Sequence, residues 1–346
     1  MKKLTPYART RQIRLARKHL CRIRKKKILR SKRIKFREIF AVLKAPDIFT
    51  ISSKDNRRSL LRFLGKLRET IVLHKHAVRI DFSGTQKMFA DGTLLFYAEL
   101  SRIKRLKGSV EIRCFPPRND KVAQVLKQVG IFDLVGYRKK IETTHDDVIH
   151  WRSANGHEVI GEKFDEVLGH YDGQIAEALS KNLYLGFTEA MTNCHHHAYI
   201  DVRPDGLNVM QEPKEWWMFS QERDGLLTVV FCDLGIGIPG TLPIKKPTLW
   251  QRVQSFGSKL DAHAIQEAIG ESRTRTGLHH RGKGLRQLVD VIAKVDGGQV
   301  NIFSNRGRFT LKSDSESISQ FKDDIYGTLI IWQVPIRRLS DDSTRG

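Results

Sequence analysis

The sequence lacks the features that mark several common classes of protein. No run of apolar residues reaches the roughly 18 that a membrane-spanning helix requires, so we predict no membrane span. The N-terminus has no apolar core of the kind that signal peptides carry. The four cysteines are scattered and form no Cys-x-x-Cys pair, which argues against a disulfide framework. These absences together predict a cytoplasmic protein in a reducing compartment.

Acidic residues are absent from Met1 to Arg37, although the chain of 346 residues has a formal net charge of +23. Basic residues crowd this stretch, and apolar residues such as Leu20 and Ile23 are interspersed among them. The pattern is typical of a helix that forms on nucleic acid or another polyanion. It is equally typical of a disordered, solubilising arm, because like charges repel one another in a free helix. We call residues 1–40 the basic arm.

Helix and strand patterns alternate from residue 41 to residue 140, which predicts a small α/β domain. Residues 56–72 have apolar side chains at helical spacing, and a second helix is predicted from Asp91, as its cap, to Gly108. A third helix is predicted within residues 120–137. Strands are predicted at residues 45–52, 77–84 and 109–117.

Residues 41–140 resemble a STAS domain, the fold of anti-sigma-factor antagonists. The resemblance rests on the strand and turn "IDFSG", the loop and helix "MFADGTLLFYAEL" and the closing element "VLKQVGIFDLV". It implies a small module that packs against and interacts with a protein partner. Many STAS switches carry a phosphorylatable Ser at the start of their second helix. This sequence has Ala90-Asp91-Gly92-Thr93 there, so either Asp91 replaces that Ser or Thr93 supplies the hydroxyl.

The second half of the chain has a different pattern. Residues 141–172 are polar and irregular, and we interpret them as a linker. A long helix is predicted from Gly173 to His197, and two apolar runs separated by Asp224-Gly225 predict a β-hairpin. The rest is predicted to contain a helix over residues 285–298, strands over residues 299–304 and 328–336, and a polar tail over residues 338–346.

The stretch "EAMTNCHHHAY", residues 189–199, contains a cysteine and three consecutive histidines, a composition that suggests a zinc site. Zinc ligands on a helix normally lie four residues apart, whereas His195 and His196 are adjacent and point in different directions. Glu189, Asn193 and His197 do have that spacing, so they lie on one face of the predicted helix. We therefore favour chemistry carried by Glu189 and Asn193 over a zinc cluster.

Four motifs follow one another in the order found in the GHKL ATP-binding fold. They are "EAMTNCHHHA", "FCDLGIGIP", "RGKGLRQLVDVI" and "YGTLIIWQVP", and through them residues 173–337 resemble that fold. The superfamily includes gyrase, heat-shock chaperones, mismatch-repair ATPases, histidine kinases and anti-sigma-factor serine kinases. The first motif matches the histidine-kinase form, with His197 at the helix end. The implied fold class is α/β and α+β, with a small STAS-like α/β domain followed by a Bergerat-type α/β sandwich.

The resemblance implies ATP and Mg²⁺ as cofactors and a role for each motif. Glu189 would polarise the attacking water as a general base, and Asn193 would supply an oxygen ligand to Mg²⁺. Asp233 would accept a hydrogen bond from the adenine amino group. Gly235 and Gly237 would let the backbone approach the base and the sugar closely.

The third and fourth motifs complete the implied site. Gly282 and Gly284 would free backbone amides for phosphate at a helix N-terminus. Lys283 would add a positive charge there, and Leu285 continues the helix. Thr328 would reach the adenine through a water. Residues 240–281 correspond to the family's ATP lid, which has three arginines that could contact the phosphates: Arg273, Arg275 and Arg281.

Three classes of function remain open. The first is a slow ATPase or nucleotide-operated switch, regulated by the fused STAS-like domain, which we expect to lie against the lid. The second is a histidine or serine protein kinase that acts on a partner protein. Its weakness is that residues 141–172 do not resemble a helical hairpin with a phosphoacceptor, and His145 is a poor match for one. The third is a nucleic-acid-binding module, in which the basic arm docks the polyanion and the ATP site is regulatory.

Overall fold

The computed structural model describes residues 14–22, 40–169, 177–274, 284–290, 292, 295–312 and 315–336. The chain divides into two compact units, Met1–Phe40 and Ala41–Gly346. In the first unit, residues 14–22 form helix α1. In the second unit, parallel and antiparallel sheets combine with helices in a mixed α/β architecture. Within the described ranges, no helix is long and apolar enough to cross a membrane.

The N-terminal lobe, residues 41–140, alternates strands and helices as predicted. Its strands are β1 (Ala41–Lys44), β2 (Ile48–Phe49), β3 (Val78–Asp81), β4 (Lys87–Met88) and β5 (Ile112–Phe115). Its helices are α2 (Lys54–Arg68), which continues into a π turn at Glu69–Leu73, α3 (Ala90–Leu106), α4 (Asp120–Gln128) and α5 (Ile131–Leu134). A parallel sheet has the order β1-β3-β5, and β2 pairs with β4.

In this lobe, the main difference between prediction and structure is the strand expected at residues 45–52. The sheet begins with β1, which precedes the predicted stretch, and only Ile48–Phe49 pairs, with β4. Pro46 has no amide hydrogen, so it cannot donate to a strand ladder. The apolar run therefore supplies two buried core residues, Phe49 and Ile51, rather than a full strand.

Asp91 does not cap the second helix of the lobe, as the sequence had predicted. α3 begins at Ala90, and the largely buried carboxylate of Asp91 reaches back to the loop before α2. Its Oδ2 atom accepts hydrogen bonds from the Thr50 hydroxyl at 2.8 Å and from the Ile51 amide at 3.0 Å. Thr93 is fully buried, so neither Asp91 nor Thr93 presents its side chain at the surface.

The C-terminal lobe, residues 152–336, is built on a seven-stranded sheet whose neighbouring strands are all antiparallel. The strands are β6 (Arg152–Gly156), β7 (Trp216–Arg223), β8 (Leu226–Asp233), β9 (Gln299–Ser304), β10 (Gly307–Lys312), β11 (Ser315–Gln320) and β12 (Thr328–Pro335). Their order across the sheet is β11-β10-β9-β12-β8-β7-β6. Helix α6 (Asp146–Ile149) precedes the lobe, and the helices of the lobe are α7 (Lys163–Leu168), α8 (Glu177–Asn193), α9 (Gly237–Lys245), α10 (Pro247–Ser255), α11 (Leu260–Thr274) and α12 (Gly284–Asp290).

The described part of residues 141–172 is not the linker that its polar composition predicted. It contains β6, which pairs with β7 and forms one edge of the seven-stranded sheet. Val148 and Trp151 are buried in the shared core just before this strand. Within β6 only Ala154 is buried, because an edge strand needs few inward-facing apolar residues. The short strand was therefore concealed by its polar sequence.

The hairpin predicted at Asp224-Gly225 is confirmed. β7 and β8 pair over their full lengths, which places Trp216 opposite Asp233. Asp224 and Gly225 have positive φ angles of 54° and 72°, as a two-residue type I′ turn requires. The turn fixes the register of the hairpin and so carries Asp233 to the end of the sheet farthest from the turn.

Most of the segment expected as an ATP lid is helical. It contains α9, α10 and α11, which share a small core made of Leu242, Leu249, Val253, Ala264 and Ala268. α11 packs against β10 and α12. α11 lies between two cores, with Ala264 and Ala268 toward α9 and α10 and with Ile265 and Ile269 toward the core of the sheet. Residues 275–283, with Arg275 and Arg281, lie outside the described residues, as does the side chain of Arg273.

Both faces of the central strands of the sheet, β7, β8, β12 and β9, are buried. On one face, Met218, Phe231 and Trp332 share a core with residues of α8, α11 and α12. On the other face, Phe219 and Val230 share a core with the N-terminal lobe, and α3 lies across β7, β8 and β12. The N-terminal lobe therefore packs on the face of the sheet opposite α8.

Candidate functional site

The last residue of β8 lies beside the first residue of β12. The register of these two strands pairs Asp233 with Thr328, and the register of β7 places Trp216 on the other side of Asp233. Asp233 and Thr328 are only 6% and 8% exposed. The sequence indicated both as site residues from separate motifs, and antiparallel pairing is what brings them together.

The carboxylate of Asp233 is held by the loop that follows β8. Its Oδ1 atom accepts a hydrogen bond from the Gly235 amide at 3.0 Å. Burial raises the pKa of Asp233 to about 6, while hydrogen bonding by Gly235 and Thr328 and the charge of Arg203 limit the rise. A carboxylate has about four acceptor positions, so it can also accept a donor from a ligand.

Gly235 and Gly237 are needed for contacts within the protein. A Cβ at Gly235 would lie 2.1 Å from the carbonyl oxygen of Ala198, which also accepts from the Ile236 amide at 2.8 Å. Gly237 has a φ of +74°, and its Cβ would lie 2.5 Å from Asn305 Oδ1. The sequence assigned these glycines to a base and a sugar. In the structure they let the loop after β8 pack against the chain that follows α8 and the end of β9.

Ser304 and Asn305 were missed by sequence reasoning. They join the loop after β8 to the chain at the start of β12. Ser304 Oγ accepts from the Ile238 amide at 2.8 Å and lies 3.1 Å from the hydroxyl oxygen of Thr328. Asn305 donates to the carbonyl oxygen of Ile236 at 2.9 Å. The only signal in the sequence was their position at the end of a predicted strand.

Tyr199 was missed as well, although it directly follows the first motif. Its hydroxyl donates to the carbonyl oxygen of Glu215 at 2.5 Å and accepts from the Leu234 amide at 3.1 Å. Burial strongly raises the pKa of Tyr199, so the phenol is neutral. Tyr199 thus ties the chain that follows α8 to the residue after Asp233.

Glu189 and Asn193 are joined by a hydrogen bond on one face of α8. Asn193 Nδ2 donates to Glu189 Oε1 at 2.8 Å, as their spacing predicted. Both side chains are half-buried. Burial raises the pKa of Glu189, and the hydrogen bond from Asn193 limits the rise. Because Asn193 turns its nitrogen toward Glu189, its carbonyl oxygen points away and is suited to a hard cation.

The histidines of the first motif follow α8 in a π turn at Cys194–Ala198. His197 is therefore not on the α-helical face predicted for it, and burial, together with the charge of His196, lowers the pKa of His197. Cys194 is buried, with its Sγ 3.6 Å from the carbonyl oxygen of Glu215. Among the residues that the structure describes, no three His, Cys, Asp or Glu side chains are grouped to hold a metal.

The third motif is described only in part. Gly284 begins α12, and Leu285 packs against both the core of the sheet and the small core of α9, α10 and α11. α12 lies against α8, the helix that carries Glu189. Gly282 and Lys283 lie outside the described residues, so their expected contact with phosphate stays a prediction.

Helix α1 carries a basic stripe. Arg14, Lys18 and Arg22 are spaced by four residues, so they lie on one face of the helix. Every residue from 14 to 22 is exposed. Residues one helical turn apart on such a surface are about 5–6 Å apart, so three positive charges can face a polyanion together.

The structure thus brings Asp233, Gly235, Gly237 and Thr328 into one cluster, and the loop of this cluster contacts the π turn that follows Asn193. No protein-family model matches the sequence, and no curated protein matches it. The chemistry of these residues and the order of their motifs are therefore the basis for assigning a function.

Proposed function

We propose that the C-terminal lobe is a GHKL-type domain of the Bergerat fold that binds ATP with Mg²⁺ and acts as a slow ATPase or nucleotide-operated switch. The observation that carries the proposal is the register that sets the buried carboxylate of Asp233 beside Thr328. Adenine presents an amino group, which would donate to an oxygen of the Asp233 carboxylate. Guanine presents a carbonyl oxygen at the corresponding position, so the carboxylate would reject it.

The pair on α8 fits the metal and water chemistry of such a site. Mg²⁺, when bound, would offset the phosphate charge, and Asn193 would hold it through a side-chain oxygen of the hard type that this ion prefers. Glu189 has a raised pKa, which makes its carboxylate a stronger proton acceptor for an attacking water. The hydrogen bond from Asn193 holds that carboxylate in one orientation.

For the N-terminal lobe we propose a STAS-like fold and a role in protein interaction. The parallel order β1-β3-β5, with α2, α3 and α4 following successive strands, supports this proposal. Asp91 and Thr93 are both buried, so the start of α3 does not offer an exposed phosphoacceptor at either position. The lobe is therefore proposed as a packing and binding module rather than a phosphorylation switch.

The alternative of a protein kinase receives less support. The described part of residues 141–172 forms β6 and two short helices, whereas histidine kinases carry their phosphoacceptor on a long helical hairpin. His145 stands just before α6, with Nε2 3.8 Å from a carboxylate oxygen of Asp120. A serine kinase acting on a separate partner protein remains the second enzymatic alternative.

A second proposed function is polyanion binding by the basic arm. It is favoured by the exposed stripe of Arg14, Lys18 and Arg22 on α1. Phosphates can be neutralised by such a stripe without contacts to bases, so binding is expected to tolerate any nucleotide sequence. Nucleic acid would then be the partner and the ATP site would be regulatory.

Calorimetric titration with Mg-ATP tests the nucleotide proposal. We expect the wild type to bind ATP and not GTP, and Asp233→Asn to weaken ATP binding by about 10- to 100-fold, the effect of losing one charged hydrogen bond. Asp224→Asn is the matched control, because it makes the same chemical change in the exposed turn at the other end of β8. Equal affinities for the two variants, or no ATP binding by the wild type, would refute the proposal.

A further inference from the structure

Arg203 lies in the connection between α8 and β7 and is 3% exposed. Its Nε donates to the carbonyl oxygen of Tyr326 at 2.7 Å, and Nη1 donates to Asp205 at 3.2 Å. Its Nη2 forms an ion pair with Glu99 of α3. Arg203 therefore joins the N-terminal lobe to the chain two residues before Thr328.

Glu99 is held in place by two guanidinium groups. Burial alone would raise the pKa of Glu99, but the charges of Arg203 and Arg68 hold it at about 2. Arg68 Nη1 lies 2.9 Å from Glu99 Oε1, and the Glu99 side chain is 1% exposed. The carboxylate is thus ionised at neutral pH, and the ion pairs fix the orientation of Arg203.

Arg57 of α2 makes a second connection to the same part of the C-terminal lobe. Its Nη2 atom donates to the carbonyl oxygens of Asp323 at 3.1 Å and Asn305 at 3.2 Å. Its guanidinium lies 4.2 Å from the centroid of the Phe321 ring. Burial lowers the pKa of Arg57 to about 10, so the group keeps its charge at neutral pH.

Arg57 and Arg203 therefore both donate hydrogen bonds to the connection between β11 and β12. This connection ends at Gly327, whose amide donates to Asn305 Oδ1 at 3.2 Å. A Cβ at Gly327 would lie 2.3 Å from the carbonyl oxygen of Asp233, so the chain passes close to the end of β8. A shift of residues 323–326 would consequently move Thr328, which pairs with Asp233 in the sheet and favours the ionised form of its carboxylate.

We propose that Arg57, Glu99 and Arg203 are positioning residues through which the N-terminal lobe sets the nucleotide affinity of the C-terminal lobe. They hold the β11–β12 connection and, with it, the position of Thr328 beside Asp233. The coupling runs behind the seven-stranded sheet and does not require contact with the lid. The effect on affinity rests on the proposed nucleotide site, whereas the positioning itself can be measured without nucleotide.

The pKa of Asp233 is a sensitive measure of whether Arg203 remains in place. Cys194, Tyr199 and Cys232 lie near Asp233, and burial raises the pKa of each, so all three are neutral near pH 6. Arg203 supplies a nearby positive charge that favours the ionised carboxylate. Loss of this charge should raise the pKa of Asp233, whereas general loosening of the lobe interface should not.

The test uses Arg203→Met and Arg57→Met in the full chain without nucleotide, together with the milder Arg57→Lys. Hydrogen exchange of a peptide spanning residues 321–330 should become faster in all three variants. The pKa of Asp233, measured by carboxyl carbon NMR, should rise in Arg203→Met. Tyr97→Ala is the control, because it removes packing of α3 against Phe219 without touching the β11–β12 connection.

Titration with Mg-ATP then measures the consequence for binding. We expect Arg57→Met and Arg203→Met to weaken affinity by about tenfold, the effect of losing a hydrogen bond that orients the site, while Tyr97→Ala keeps wild-type affinity. Unchanged exchange and unchanged Asp233 pKa in the arginine variants would overturn the proposal, as would equal effects in Tyr97→Ala. Failure of the wild type to bind ATP would remove the proposed nucleotide site, but exchange and pKa would still decide whether these residues position Thr328.

Discussion

Asp233, the last residue of β8, is paired with Thr328, the first residue of β12, and its Oδ1 atom accepts a hydrogen bond from the Gly235 amide at 3.0 Å. These neighbours favour an ionised carboxylate in a place where burial disfavours its charge. The balance leaves the pKa of Asp233 at about 6, just below neutral pH. Small changes around this carboxylate therefore have measurable effects on its protonation.

The first prediction concerns pH. An ionised Asp233 is needed to accept a hydrogen bond from adenine, so affinity should be full above about pH 7 and fall as the pH drops through 6. Below the midpoint the loss should approach about tenfold per pH unit, since one proton is bound. Adenosine, which has no phosphate to titrate, is the control ligand. An affinity that stays constant between about pH 5 and pH 7 would contradict this role for Asp233.

The second prediction concerns the tight loop after β8. Gly235→Ala would place a methyl group 2.1 Å from the carbonyl oxygen of Ala198, and relief of that clash requires the backbone to move. Overpacking of this kind costs about 1–3 kcal/mol, so the free energy of unfolding in urea should fall by that amount.

Gly270→Ala in α11 is the matched control for Gly235→Ala. A Cβ at Gly270 meets nothing within 4 Å, and alanine favours a helix interior by about 0.5–1 kcal/mol. The control should therefore leave stability unchanged or raise it. Equal stability of the Gly235 variant and the wild type would show that the loop can move away from the π turn at no cost.

The third prediction separates binding from turnover at Glu189. Glu189→Gln keeps an oxygen that can accept the hydrogen bond from Asn193, but it removes the proton acceptor. We expect Mg-ATP affinity close to that of the wild type and phosphate release slowed by about 10²- to 10⁴-fold, the usual size of general-base catalysis.

Thr192→Ala serves as the control for Glu189→Gln on the same helix. Its hydroxyl donates to the carbonyl oxygen of Thr188 at 2.7 Å rather than to the Glu189 carboxylate. Affinity and turnover should both be retained. If the wild type binds ATP but releases no phosphate, the protein is a nucleotide-operated switch or passes the phosphoryl group to a partner.

The fourth prediction concerns the basic arm. If α1 binds nucleic acid, the logarithm of the association constant should fall linearly with the logarithm of salt concentration, by about 0.9 per phosphate neutralised on duplex DNA. Replacement of Arg14, Lys18 and Arg22 by glutamine should weaken binding and flatten this slope by up to about three phosphates. The same change at Arg62 and Lys66, exposed on α2, is the control. If binding is absent or does not depend on salt, the basic arm has a solubilising role instead.

Local patterns in the sequence were sufficient for the elements whose stability is local. The hairpin at Asp224-Gly225, the amphipathic α2 and the pairing of Glu189 with Asn193 each depend on residues close together in the chain. The motif containing Asp233 and the motif containing Thr328 could likewise be recognised separately. The register of β8 and β12 places the two residues side by side.

Other features depended on distant contacts that short-range patterns do not encode. β6 has a polar sequence and is a strand because β7 offers it a free edge, and Asp91 is buried because the loop at Thr50 supplies donors to its carboxylate. Gly235 is explained by Ala198, which lies before β7 in the chain.

The sequence by itself determined the alternation of helices and strands, the basic arm and the candidate residues of the site, because composition and periodicity depend on neighbours in the chain. Only the tertiary structure decided that the N-terminal lobe packs behind the seven-stranded sheet and that Arg57, Glu99 and Arg203 reach the connection before Thr328. Buried ion pairs and carbonyl contacts form between segments far apart in the chain. Their energy depends on burial and geometry, which exist only once the lobes are packed together.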